Sequence, residues 1–66
     1  MRIKFNGKSE EVGEGSLTEL LSAKKIEPRL VSVEINESPV DQEQFPRTVL
    51  KEGDSVEVLF FMGGGA

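Results

Sequence analysis

The residues of this chain best suited to chemistry are its last ones, Phe60-Phe61-Met62-Gly63-Gly64-Gly65-Ala66. An apolar stretch that runs straight into glycines leaves an end without side chains. Glycine adopts positive φ as readily as negative φ and carries no Cβ, so such an end can thread a narrow cleft. That suits a reaction in which the C-terminal carboxylate is itself the reacting group and must reach the active site of another enzyme. Glycine content alone describes a plain linker equally well, and chain ends are poorly ordered whether or not they work. The meaning of the tail depends on what positions it.

The chain has 66 residues, with no cysteine and no histidine, and a net charge of −4. That length makes one small domain, which buries only about 60% of the surface its unfolded chain exposes. Without His or Cys the usual nucleophile–base pairs cannot be built and the commonest transition-metal ligands are missing. No disulfide or thiolate zinc site can supplement the core. The carboxylates read as solvated surface, and no pair stands out as an acid/base dyad. The residues thus point to a non-catalytic domain that holds no metal and binds no cofactor. The acidic balance argues against a phosphate-binding footprint, and so against nucleic acid. It suits partners that present positive surface. Neither a signal-peptide apolar region nor a run of membrane-spanning length occurs, so a cytoplasmic protein without a membrane anchor is expected.

The elements follow from periodicity. Met1, Ile3 and Phe5 alternate with Arg2 and Lys4, the pattern of a half-buried strand. Asn6-Gly7 predicts a type I′ hairpin turn, since both residues tolerate positive φ. Lys8 to Val12 is the return strand, at an edge, and Gly13-Glu14-Gly15 breaks it. Ser16-Leu17-Thr18-Glu19 is a capping box. Leu17, Leu20 and Leu21 fall on one stripe of a helix of roughly ten residues, close to the average length. Lys24 and Lys25 suit its C-terminus, where cations meet the negative end of the dipole, and Pro28 stops it. Val31, Val33 and Ile35 make a third strand ending at Asn36, with a turn at Glu37-Ser38-Pro39. Residues 40–50 have irregular apolar spacing and contain Pro46, which predicts short, non-central structure. Glu52-Gly53-Asp54 is a further turn. Ser55 to Phe61 is the last strand, with Val56, Val58 and Phe60 on one face and Glu57, Leu59 and Phe61 on the other. The order describes an α+β domain with one helix on one face of a sheet, whose final strand leads directly into the glycines.

In this order and spacing, the landmarks are the strand into Asn6-Gly7, the Leu20-Leu21 helix and Val31-Ser32-Val33-Glu34-Ile35-Asn36. The Gly53-Asp54 turn, the Val56-Glu57-Val58 strand and the terminal glycines complete them. Across essentially its whole length the chain resembles the ThiS/MoaD family of small ubiquitin-like sulfur carriers, and within it the thiamine branch. The resemblance implies a β-grasp fold, a mixed sheet of four to five strands with one helix on one face. The β-grasp domain would span 1–62 and the flexible tail 63–66. It also implies a carrier cycle in which an E1-like adenylyltransferase uses ATP to adenylate the terminal glycine carboxylate. A sulfurtransferase or cysteine desulfurase bearing a persulfide then converts the acyl-adenylate to a thiocarboxylate, and a thiazole synthase takes up the sulfur. A carboxylate is a poor electrophile until adenylation supplies a leaving group, so the carrier offers a handle and a reactive end while its partners supply catalysis.

Carriers of this family end at Gly-Gly, whereas this chain continues to Gly65-Ala66. The resemblance then implies a trimming protease that removes Ala66, with the thiocarboxylate on Gly65 and Gly64 as its partner glycine. Related carriers deliver sulfur to amino-acid (homocysteine or cysteine) synthesis after metalloprotease processing, or to molybdopterin. Those destinations stay open at this point, as does a ubiquitin-like interaction module whose glycine end does not react.

One helix covers one sheet face, which should leave Leu59 and Phe61 exposed on the strand feeding the tail. With Met62 and Gly63 they are expected to form the surface on which partner enzymes dock. Arg2 and Lys4 should lie beside Glu57 on the same outer face. Phe5, Leu20, Val33 and Val58 are expected in the core.

Overall fold

The computed structural model describes residues 1–61. The expectations placed on Met62, Gly63, Gly64, Gly65 and Ala66, and the domain boundary after residue 62, lie outside those residues. The chain forms β1 (Arg2–Phe5), β2 (Lys8–Glu11), α1 (Leu17–Ala23), β3 (Val31–Ile35), β4 (Ser38–Val40) and β5 (Ser55–Phe60). Two 3₁₀ segments lie at Pro28–Leu30 and Gln42–Arg47. The five strands make one sheet in the order β2-β1-β5-β3-β4. Only β1 and β5 run parallel; the other neighbours are antiparallel.

The predicted turn chemistry holds. Asn6 and Gly7 take φ of 49° and 85°, the pair of positive values a type I′ hairpin needs. The capping box also forms, with Glu19 N–H donating to Ser16 Oγ at 3.2 Å and Ser16 N–H donating to Glu19 Oε1 at 2.8 Å. Two orphan amides at the helix start are thereby satisfied. The helix is seven residues long rather than ten. Lys24 is its C-cap, and Lys25 follows with φ of 60°, which ends the helical geometry.

The turn after β3 differs from expectation. Asn36 and Glu37 carry the positive φ values, 51° and 71°, and Ser38-Pro39-Val40 pairs back onto β3 as an edge strand. Proline lacks an N–H, so an edge position accommodates it. Its presence disguised a strand as a turn.

The core gathers Ile3, Leu17, Leu20, Leu21, Val31, Val33, Phe45, Leu50, Val56 and Val58 between helix and sheet. Leu20, Val33 and Val58 lie where expected, while Phe5 is only half-buried and packs at the margin. Phe45, from the irregular stretch, is among the fully buried side chains. Its 3₁₀ segment packs against α1 and closes the side of the core that a seven-residue helix, about 10 Å long, cannot.

Candidate functional site

The site begins with how β5 is held. On one side β5 pairs with β3, Glu57 opposite Glu34, Leu59 opposite Ser32 and Phe60 opposite Val31. The bonds that flank this ladder are Asn36 N–H to Ser55 O (2.8 Å) and Phe61 N–H to Leu30 O (2.9 Å). Alternation along an antiparallel pair then turns the backbone groups of Val56, Val58 and Phe60 to the opposite side, towards β1. There β1 reaches only as far as Phe5 opposite Val56. Asn6 extends the contact by one step. Its N–H donates to Val56 O at 2.9 Å, and its side-chain Oδ1 accepts from Val58 N–H at 2.8 Å. Beyond Asn6 the chain turns into β2, so among the described residues no strand flanks Phe60 on that side.

The side chains at this end are apolar and open to solvent. Leu59 is 65% exposed, Phe61 57%, Phe60 55% and Leu30 55%. Leu59 and Phe61 are thus exposed where the sequence placed them. Phe60 was expected to point inward with Val56 and Val58. It does share their face, but it lies past the end of β1's pairing, and half of its surface is uncovered. Leu30, across the ladder from Phe61, was not singled out. It sits in the 3₁₀ turn after Pro28, outside any alternating stretch, so periodicity carried no signal for it.

Charges around the site are arranged unlike the expectation for Arg2 and Lys4. Arg2 pairs with Glu11 (3.3 Å) and donates to Ser9 Oγ (3.3 Å), and among the described residues neither Arg2 nor Lys4 pairs with Glu57. Register explains this, since Arg2 lies opposite Glu11, and Lys4 lies opposite Ser9 and Ser55. Lys24 is committed elsewhere, to Glu10 at 2.6 Å and over the Phe5 ring at 4.3 Å. The Met1 ammonium donates to Glu11 Oε2 and to Val12 O, each at 2.9 Å. That hydrogen bond to Glu11 raises the ammonium's pKa and lowers that of the Glu11 carboxyl. Among the described residues no three His, Cys, Asp or Glu gather as a metal site, and no helix is long and apolar enough to cross a membrane.

Beside this geometry, a strand end with exposed apolar side chains whose sequence continues into glycines, stands a match of the sequence to a family model. The model of the ThiS family matches residues 3–65. The chain belongs to the ThiS family. Its sheet order and single helix are those of the β-grasp fold. The crystal structure of the thiamine biosynthesis protein ThiS from Geobacter metallireducens is similar at 43% identity and a TM-score of 0.85. That match covers 98% of this chain and 100% of that one. The solution NMR structure of a thiamine biosynthesis protein from the same organism gives 0.81, over 100% and 90%. The sulfur carrier protein ThiS of Bacillus subtilis is 29% identical over 96% of this chain and 98% of its own length. A thiazole synthase of Magnetococcus marinus is 36% identical over 98% of this chain, which spans only 20% of that protein.

Proposed function

We propose that this ThiS-family chain carries sulfur for thiazole formation in thiamine biosynthesis, as a thiocarboxylate on Gly65. The observation that carries this reading is the family match from residue 3 to residue 65, which takes in both the β-grasp sheet and Gly63-Gly64-Gly65. The name of the Bacillus subtilis relative, matched along nearly its whole length, supports it.

The chemistry divides between chain and partners. The tail carboxylate attacks the α-phosphorus of ATP in an E1-like adenylyltransferase, pyrophosphate leaves, and the acyl-adenylate forms. A persulfide sulfur on a sulfurtransferase or cysteine desulfurase then attacks the acyl carbon and expels AMP. A second thiol cleaves the resulting acyl disulfide, which forms a disulfide on the donor side and releases the thiocarboxylate. The chain contributes no catalytic group to these steps. It contributes Gly64 and Gly65, which pass into a confined site because they have no side chains. Leu59, Phe61, Met62 and Gly63 are the surface on which the partners dock. The sulfur-accepting partner is a thiazole synthase. The Magnetococcus marinus protein supports this, because a stretch similar to this chain makes up a fifth of a thiazole synthase.

Ala66 lies one residue past the matched span. On this reading a protease removes it before activation, and the carboxylate uncovered on Gly65 is the one that reacts. Intact-mass measurement tests the whole sequence. The chain ending at Gly65 and the chain ending at Ala66 are each incubated with ATP, the adenylyltransferase and a persulfide donor. The Gly65 form is expected to gain the sulfur-for-oxygen increment, and the Ala66 form only after a protease is added. An unchanged mass for the Gly65 form would show a non-reactive module.

A further inference from the structure

The outer face of the sheet carries a feature that the carrier chemistry does not use. In the β3–β5 register Glu34 stands directly opposite Glu57, and both are exposed. Their backbones form a hydrogen-bonded pair, because the same ladder holds Asn36 to Ser55 and Leu30 to Phe61. Directly opposed residues share a face with their Cβ atoms about 5 Å apart, and like charges so placed oppose folding. Among the described residues neither carboxylate takes part in an ion pair. The cations of the same face are otherwise placed. Arg2 is held by Glu11, and Lys4 lies opposite Ser55, short of Glu57.

The surroundings of the two carboxylates give the pair a direction. Along β5 and just past its end the next residues on this side are Leu59 and Phe61, both more than half exposed. Across the sheet on the other side, Glu34 lies opposite Pro39 of the edge strand. Two unpartnered carboxylates are thus set between apolar surfaces, next to the strand end that delivers the tail. One side chain fits such a place. A guanidinium is planar, carries five donors in a fixed fork and can bond two carboxylates at once, while its flat face lies against apolar neighbours.

We propose that Glu34 and Glu57 together form the acceptor for an arginine of the enzyme that adenylates the tail, with Leu59 and Phe61 packing into the apolar rim around that arginine. The inference rests on the carrier reading above and deepens it by naming what the docking surface recognises. The like-charge pair becomes favourable only when a partner cation arrives. The free chain gives up some stability for a surface that selects partners by charge, and an acidic or neutral surface is rejected.

The test measures the dissociation constant of the full chain with the adenylating enzyme of its own organism. The variants are Glu34→Gln, Glu57→Gln, the double Gln variant and Glu57→Lys, and pyrophosphate exchange is followed in parallel. At about 50 mM salt, where charges act over roughly 14 Å, the double Gln variant is expected to bind about ten-fold more weakly and Glu57→Lys more weakly still. At about 500 mM salt the gap between the wild type and the double Gln variant should shrink to within two-fold. The melting temperature of the free double variant should stay level or rise, which residues with a merely structural role would not give. Equal affinities for wild type and double Gln variant at low salt, with pyrophosphate exchange intact, overturn this inference alone. A wild-type chain ending at Gly65 that supports no exchange overturns the carrier reading and this inference with it.

Discussion

The two ends of the sheet are built on opposite plans. At one end, where β1 and β5 both start, side chains and backbone are tied together repeatedly. Asp54 accepts from Lys51 N–H (2.8 Å) and from Asn36 Nδ2 (3.0 Å), and Asn36 Oδ1 accepts from Ser55 N–H (3.0 Å). Gly53 N–H donates to Arg2 O and Arg2 N–H donates to Glu52 Oε1, each at 2.9 Å. At the other end β5 runs past its β1 neighbour with Leu59, Phe60 and Phe61 uncovered. A small domain has little stability to spare. This one ties the start of β5 with a cluster of side-chain bonds and leaves large apolar side chains uncovered at its other end, which on the carrier reading is the end that partners complete. The contrast teaches where to expect stability effects and where to expect binding effects.

The largest effect should come from Asn6, the residue that links the two ends. Asn6→Ala removes the acceptor of Val58 N–H and places a Cβ residue without a polar side chain at φ 49°. The combined cost is about 2–4 kcal/mol, read as a fall in the denaturant midpoint. A change under about 0.5 kcal/mol would break the comparison, because β5 would then not depend on this tie. Next come Leu59→Ala and Phe61→Ala, which should weaken the complex with the adenylating enzyme by about 2 kcal/mol each, or roughly 30-fold. Their stability should change by no more than about 0.5 kcal/mol. Calorimetric titration and thermal melts on the same samples separate the two quantities, and unaltered affinity would remove this end from the docking surface.

Gly15 gives a smaller and sharper test. A Cβ there would collide with Glu19 Oε1, the atom that caps the helix through Ser16 N–H. Gly15→Ala should cost about 1 kcal/mol through the lost cap, visible in a melt, and should leave partner affinity unchanged. The smallest effect concerns Met1 and Glu11. Glu11 has a lowered folded pKa, so its contribution is present above the ordinary carboxylate value and is lost as pH falls through the folded one. The Met1 ammonium has a raised pKa, so its contribution is present below its ordinary value and is lost as pH rises through the folded one. The difference in melting temperature between wild type and Glu11→Gln should therefore be greatest between these limits and fade at both. A difference that does not vary with pH would show that the pair does not titrate with folding.

Most of the frame was legible because each piece has a local cause. Asn6-Gly7 demands its turn, Ser16 and Glu19 demand their cap, and the alternation of Val31 to Ile35 demands a strand. What was missed depends on neighbours distant in sequence. Pro39 looked like a turn residue, and only pairing with Val33 to Ile35 reveals it as an edge strand. Phe60 follows the alternation of Val56 and Val58, but its burial is decided by where β1 stops. Phe45 is buried by a 3₁₀ segment that no periodicity announces. For the candidate site, the exposure of Leu59 and Phe61 could be read directly. Leu30 and the confrontation of Glu34 with Glu57 required the register.

Among the described residues, the bond from Phe61 N–H to Leu30 O is the last backbone anchor along the chain. From Met62 to Gly65 there are four residues, which span at most about 14 Å when fully drawn out. On the carrier reading, the sheet's end and the carbon that reacts are therefore joined by a tether of fixed maximum length. Any enzyme that grips this domain at β5 must set its reaction centre within that radius. On that reading the enzymes that act on the tail, however different their folds, would share one measurable dimension, and lengthening the tether by inserted glycines would relax it for all of them together.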